Sequence, residues 1–276
     1  YPFKQYPMEE MMEKMRPFYE RAVKEAKEKD TPELRRGVGI AWGGFNVSEG
    51  PTDRATVALE LNPDNTITKF DTWQELGQGG DIGSLMVTLE ALKPMGVTPD
   101  RIRLVQSDTK LCPDSGMSAG SRSHYMNGGA SIAAGEKLMN AMRKPDGTYR
   151  TYDEMVKEGI PTKYEGQYLT AVTQGLCRLD PNTGVGDPHP AYTYALNLAE
   201  VEVNTKTGKT RVTRFVCVDE VGKVGNIDAV NGQAYGGISH SIGFALSENY
   251  DDVKKHTNMA SSGVPYIKDI PDDITV

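Results

Sequence analysis

Residues 66–92, TITKFDTWQELGQGGDIGSLMVTLEAL, carry an extended run into a glycine-rich turn and then into a helical pattern, and the rest of the chain is organised around them. Gly77, Gly79 and Gly80 admit backbone conformations closed to other residues, so N–H groups can converge on one point with no Cβ in the way. Asp81 stands where a helix N-cap is expected, and Leu85, Leu89 and Leu92 follow at helical spacing. A strand, a glycine turn and a helix N-terminus together favour an anion. The same glycines also suit a plain tight connection, and spacing alone leaves both readings open. A third reading is a dinucleotide fold, because Gly77, Gly79 and Gly83 spell GxGxxxG and a later run over 102–106 leads to Asp108. A central parallel strand should be nearly all apolar, however, and residues 66–74 mix Ile67, Phe70 and Trp73 with Thr68, Lys69 and Asp71. The run is therefore expected as one arm of an antiparallel hairpin.

On its N-terminal side, residues 37–45 read as a glycine-rich strand and 55–61 as another, closed onto the central strand by the turn Asn62-Pro63-Asp64-Asn65. On its C-terminal side, 101–106 reads as a strand, and 115–123 offers hydroxyls and glycine amides at the head of a small-residue helix reaching about Met142. Ser118, Ala119, Gly120, Ser121, Arg122 and Ser123 make either a second anion site with Arg122 as its fixed charge or a serine-capped helix. At the start of the chain, Met8, Met11, Met12 and Met15 recur at i, i+3, i+4 and i+7, and Pro17 suits the start of a second helical run through Lys29. This methionine stripe is expected to pack on another surface. The opening, without an initiator methionine or leader, is what a piece of a longer protein would show.

Residues 143–190 break the pattern with KPDG, DPNTG and DPHP turns, a capping box from Thr151 to Glu154 and an expected strand over 167–173. They read as an insertion whose tyrosines, Tyr149, Tyr152, Tyr164 and Tyr168, either line a pocket or pack half-exposed. His189 is open to a structural or a ligand role. From Tyr194 the first half returns: Leu59-Glu60-Leu61-Asn62 matches Val201-Glu202-Val203-Asn204, and FDTWQELG (70–77) matches FVCVDEVG (215–222) position for position. Each half is then a hairpin, a glycine turn and a helix, the second helix being VNGQAYGGISHSIGFALSENY. Such a duplication either serves folding alone or places two glycine turns so as to grip an elongated polyanion.

Composition narrows the functional class. With 276 residues, 38% hydrophobic and 25% charged, the chain can bury a substantial core. A net charge of -7 argues against a general nucleic-acid binder, which needs a concentrated basic face. No apolar run is long enough to span a bilayer. Cys112, Cys177 and Cys217 form no CxxC pair, so neither a zinc ribbon nor an iron–sulfur cluster is encoded, and reduced cysteines in a cytoplasmic protein are expected.

WQELGQGG, SAGSRS, DEVGKVGN and GQAYGGISHSIGFAL recur in that order in the molybdenum hydroxylases, the xanthine oxidase and aldehyde oxidoreductase family, and the chain resembles that family over nearly its whole length. Within the family it is similar to the bacterial aldehyde oxidoreductases of sulfate reducers, over the C-terminal half of their molybdopterin-binding region. The resemblance implies a molybdopterin cofactor, in bacterial members the cytosine dinucleotide form, whose dithiolene holds the molybdenum, so that no side chain is a metal ligand. It assigns cofactor contacts to Gly77, Gln78, Gly79 and Gly80, to Ser118 through Ser123, to Gly222, Lys223, Val224, Gly225 and Asn226, and to Gln233. Ile227 and His240-Ser241 depart from the family's usual proline and Gln-Gly. The family's catalytic glutamate is expected beyond Val276, so this chain is expected to carry no catalytic residue. The remaining domains of the parent chain, with [2Fe-2S] clusters, an aldehyde substrate and a homodimer are the implied partners.

The fold expected is α+β: two intertwined, related β-hairpin-plus-helix halves in two layers, with mixed sheets because hairpins are present. The divisions expected are a helical segment over 1–36, a first half over 37–142, an insertion over 143–191 and a second half over 192–276. The function expected is the cofactor-binding portion of an enzyme oxidising aldehydes to carboxylic acids. The alternatives are an NAD(P)-dependent dehydrogenase using the GxGxxxG turn and a non-catalytic interaction module.

Overall fold

The computed structural model describes residues 6–48, 50–106, 108–171 and 175–276. They form two compact units, one over 46–192 and one made of 6–45 with 193–276.

The first unit is a sheet of four strands covered by helices. Strand β2 (Arg54–Leu61) turns antiparallel into β3 (Ile67–Asp71), with Leu61 opposite Ile67 and Ala58 opposite Phe70. Helix α2 (Gly80–Ala91) then crosses over to β4 (Ile102–Gln106), which lies parallel to β3. The fourth strand, β5 (Lys163–Leu169), pairs antiparallel with the other side of β2, giving the order β4-β3-β2-β5. The stretch read as an insertion thus completes the sheet, and its short helix α4 (Tyr152–Lys157) places Met155 in the core behind the expected Thr151–Glu154 capping box. Of the strand expected over 167–173, Val172 and Thr173 lie outside the described residues, and the strand itself begins four residues earlier.

The core of this unit follows from two periodicities. Ala55, Val57, Leu59 and Leu61 alternate along β2, and Ala130, Ala134, Leu138 and Met142 recur every four residues along α3 (Gly128–Met142), so one sheet face meets one helix stripe. Small residues let the backbones approach: a Cβ on Gly166 of β5 would lie 2.1 Å from the Ala134 amide nitrogen, and one on Gly129 would lie 2.3 Å from the Tyr168 ring. Tyr149, Tyr152, Tyr164 and Tyr168 pack half-buried around this core.

The second unit repeats the plan. Strand β6 (Tyr192–Asn204) turns into β7 (Thr210–Glu220), helix α5 (Ile227–Leu246) crosses over, and β8 (Ile274–Thr275) lies parallel to β7. The order β8-β7-β6-β1 reproduces β4-β3-β2-β5, with β1 (Leu34–Asn46) as the fourth strand. Strand β1, expected at the head of the first half, therefore belongs with the second hairpin. Both sheets are mixed, as the hairpins required. Phe215 and Cys217 face Ile238 and Ile242 of α5. On the opposite face, Arg214 and Arg21 of α1 (Met8–Lys29) both reach Glu200 at 3.4 Å. Of the two readings, a pair of helices or one kinked helix, helix α1 is a single element through Pro17, and it buries Met11 and Met15 while Met12 stays half-exposed.

The contact of α3 with β5 is close enough that Gly166→Ala, measured by chemical denaturation, is expected to destabilise by about 1–3 kcal/mol through overpacking, whereas Gly39→Ala, with open space and no left-handed backbone, should not.

Candidate cofactor-binding site

The glycine turn after β3 is built around a carboxylate that sequence reading passed over. Gly77 and Gly79 take φ of 100° and 83°, in the left-handed region that glycine tolerates. Their N–H groups then point at Glu75: Oε1 accepts from Gly77 at 2.7 Å and Gly79 at 3.1 Å, and Oε2 accepts from Asp81 at 3.0 Å. These donors, Asp81 and Gly77 foremost, hold the Glu75 carboxyl below its ordinary range. Asp81 is not the N-cap of α2; that position is Gly79, and Glu75 supplies the capping oxygens from four residues upstream. Gln78 folds back on the same turn, accepting from the Leu76 N–H at 2.6 Å and donating to the Gln74 carbonyl at 2.8 Å. Gly80 is buried, and a Cβ there would sit 3.0 Å from the Trp73 indole nitrogen.

The second turn repeats this chemistry. Glu220, the counterpart of Glu75, accepts from the Gly222 N–H at 2.8 Å, and Gly222 has φ of 72°. Helix α5 is capped differently, by Asn226 Oδ1 accepting from the Ala229 N–H at 3.1 Å. Lys223, Val224, Gly225 and Gln233 are exposed.

The serine-rich loop lies against the first glycine turn. Ser118 Oγ accepts from the Gln74 N–H at 3.0 Å and is joined by Ser123 Oγ at 3.1 Å, while Ser115 Oγ accepts from Thr72 N–H at 3.2 Å and donates to the Thr56 carbonyl at 2.7 Å. The tip is a tight turn, Gly120 and Ser121 both left-handed at φ of 55° and 54°, closed by Arg122 N–H donating to Ala119 O at 3.0 Å. Two expectations fail here. No serine caps the helix that follows; it begins as a π-helical turn, Ser123–Asn127, and continues into α3. Arg122 is not a free charge: it is 2% exposed and forms a forked pair with Asp53 at 2.8 and 2.9 Å, while donating also to the carbonyls of Arg54 and Met117. Its guanidinium sets the loop's shape from beneath, and Gly116 is required because a Cβ there would meet it at 2.7 Å.

Strand β3 is an arm of an antiparallel hairpin with β2, as expected, and also runs parallel to β4. All five of its residues are buried, the polar ones included, because Lys69 and Asp71 pair with each other at 3.0 Å with both side chains fully enclosed. The polar residues of this hairpin arm mark an internal ion pair.

These features test the fit of the implied cofactor. At Gly77, Gly79 and Gly222 no atom lies within 4 Å of where a Cβ would stand, so the backbone of both turns is open to close approach. In the first turn the N–H groups of Gly77, Gly79 and Asp81 are taken by Glu75, so what the turn offers a ligand is its open backbone side. The residues present fit an elongated polar cofactor. Among the described residues, no group of three His, Cys, Asp or Glu side chains could hold a metal ion directly, and no helix is long and apolar enough to cross a membrane.

Comparison with known proteins decides the family. The model of the molybdopterin cofactor-binding domain matches residues 11–271. The chain belongs to the molybdopterin cofactor-binding domain family. It is 38% identical over 271 residues to the aldehyde oxidoreductase of Megalodesulfovibrio gigas, covering 98% of this chain and 30% of that protein. It is 27% identical over 259 residues to the probable hypoxanthine oxidase of Escherichia coli K12, covering 87% of this chain and 26% of the relative. The solved aldehyde oxidoreductase from Desulfovibrio desulfuricans superposes with a TM-score of 0.92 at 43% identity, over 98% of this chain and 29% of that one. The chain thus spans less than a third of each of these three relatives.

Within this molybdopterin-binding domain, the first unit brings together Gly77 through Gly80 and Ser118 through Ser123, and the second unit carries Gly222 through Asn226 and Gln233. Glu75, Asp53 and Trp73 are the residues that sequence reading missed. Glu75 had a signal available, since it matches Glu220 in the duplicated turn; Asp53 had none, because its partner is 69 residues away.

Two measurements check this geometry. Glu75 contributes stability above the ordinary carboxylate range, and that contribution disappears as pH falls through its depressed folded-state value. Glu75→Gln is therefore expected to lower the thermal midpoint at pH 7 and to flatten its decline between pH 5 and 3; an unchanged acid limb would refute the account. Asp53→Ala leaves the Arg122 charge buried without its forked partner and is expected to cost about 3–5 kcal/mol, read as a shift in denaturation midpoint.

Proposed function

We propose that this chain is the molybdopterin-binding portion of a molybdenum hydroxylase that oxidises aldehydes to carboxylic acids. The observation that carries the reading is the twinned turn, a glutamate and a left-handed glycine at the end of β3 and again at the end of β7, each presenting open backbone. Its support is the likeness to aldehyde oxidoreductases along almost the entire chain.

In this reading the cofactor is the cytosine dinucleotide form, whose length and charge suit several separate polar contacts. In the first unit Gly77, Gln78, Gly79 and Gly80 and Ser118 through Ser123 are its contacts, and in the second unit Gly222 through Asn226 and Gln233 are. When bound, the cofactor supplies the molybdenum centre that accepts the substrate's electrons. This chain's residues bind and orient: Glu75 and Gln78 fix the first turn, Arg122 fixes the serine loop, and small residues leave room for close approach. The base is a glutamate elsewhere in the full-length protein, and electrons leave through [2Fe-2S] clusters in other domains. The protein is a cytoplasmic homodimer, and three cysteines free of disulfides suit that reducing compartment.

The dehydrogenase reading loses its ground at β3. A dinucleotide fold places that strand among parallel neighbours with an apolar helix-facing side, and here it is antiparallel to β2 and carries Lys69 and Asp71 against α2.

The full-length protein is expected to contain molybdenum equimolar with chain and to release a pterin and a cytosine nucleotide on acid hydrolysis; absence of both overturns the reading. The isolated 276-residue chain is expected to show no aldehyde oxidation even with cofactor supplied, and measurable turnover by it would overturn the assignment of the base to another part of the protein.

A further inference from the structure

The Lys69–Asp71 pair is expensive and has no role in the function as drawn so far. Both side chains are fully enclosed, and burial pushes the Lys69 ammonium below its ordinary range against the opposing pull of Asp71. Apolar residues of similar size commonly stabilise a fold as well as a buried ion pair does, so stability alone does not explain it. Its placement does. Asp71 ends β3, and its carboxylate is surrounded by four donors: Oδ1 accepts from the Trp73 N–H at 3.2 Å and Gln106 Nε2 at 3.1 Å, and Oδ2 accepts from Ser84 Oγ at 3.0 Å and Lys69 Nζ at 3.0 Å.

Trp73 lies just before the glycine turn, Ser84 lies in the first turns of the helix after it, and Gln106 ends the neighbouring parallel strand opposite Asp71. One carboxylate therefore ties down both ends of the segment 73–84 and anchors them to β4. The Trp73 ring reinforces the bracket, because Gly80 and Gly83 are both close enough that an added Cβ would lie 3.0 Å from the indole. His124, next to the serine loop, meets the same ring edge-on at 5.7 Å.

We infer that Asp71, neutralised by Lys69, is a positioning residue for cofactor binding: it brackets the glycine turn so that Gly77 through Gly80 are held in their binding geometry before the cofactor arrives. This inference rests on the proposed function, and it assigns to the buried pair a task that hydrophobic packing could not perform, since a methyl group cannot accept the Trp73 and Ser84 hydrogens.

The test uses the full-length protein and three variants. Lys69→Met/Asp71→Leu removes both charges, Asp71→Asn keeps the size of the side chain, and Leu138→Ala opens a cavity in the α3 core away from the bracket. Each is scored for thermal midpoint, for molybdenum and pterin per folded chain, and for the rate at which pterin is released on dilution. The double variant is expected to lose part of its midpoint, because Trp73, Ser84 and Gln106 lose their acceptor, and to fall at least tenfold in cofactor per folded chain, well below Leu138→Ala. Wild-type cofactor content in that variant overturns the inference. Should the double variant not fold, Asp71→Asn is expected to release pterin at least tenfold faster than Leu138→Ala at a matched drop in midpoint, and equal release rates overturn the inference. Wild-type protein lacking both molybdenum and pterin would instead refute the proposed function, so the two failures are separable.

Discussion

A strand that must reverse into a helix within a few residues leaves several backbone N–H groups without partners, and this chain meets that constraint twice with an internal carboxylate. Glu75 gathers the N–H groups of Gly77, Gly79 and Asp81, and Glu220 takes that of Gly222. Because both glycines adopt left-handed backbone, the turns reach this arrangement without a Cβ on their open side. Each crossover can then return parallel to the strand it left, and the order β4-β3-β2-β5 recurs as β8-β7-β6-β1.

The polar groups near the first turn form a graded support. Gln78 closes the turn on itself, Ser118 and Ser115 stitch the serine loop to the strand exit, Arg122 and Asp53 fix the loop from below, and Asp71 ties both ends of the turn to β3 and β4. Buried polar networks of this kind are costly when partly satisfied and rigid when complete. The Asp71 carboxylate has all four of its donors, which is the condition under which such a network specifies one geometry.

Packing explains why the unit tolerates so much polarity at one end. At the other, α3 lies directly on β2 and β5 through Ala130, Ala134, Gly129 and Gly166, and Val57, Leu59, Leu61, Leu138 and Met155 are completely enclosed. Apolar burial there supplies the driving force for folding, leaving the turn end free to carry the charged and hydroxyl groups that a polar cofactor needs.

The sequence by itself determined the duplicated hairpins, the helix after each, the capping box at Thr151 and the family, because each is a local pattern: alternation, helical spacing, a turn signal or a run of motif residues. It also placed the two glycine turns, whose left-handed residues only glycine supplies cheaply. The tertiary structure alone decided which strand joins which sheet, since β5 and β1 reach their partners across long stretches of chain that no local signal spans. It alone showed that Lys69, Asp71 and Arg122 are buried, because a charge reads as solvent-facing until its partner is known. Arg122 finds that partner 69 residues away in Asp53, and Asp71 draws its donors from β3, α2 and β4 together. Those pairings arise only when the sheet brings distant residues within hydrogen-bond reach.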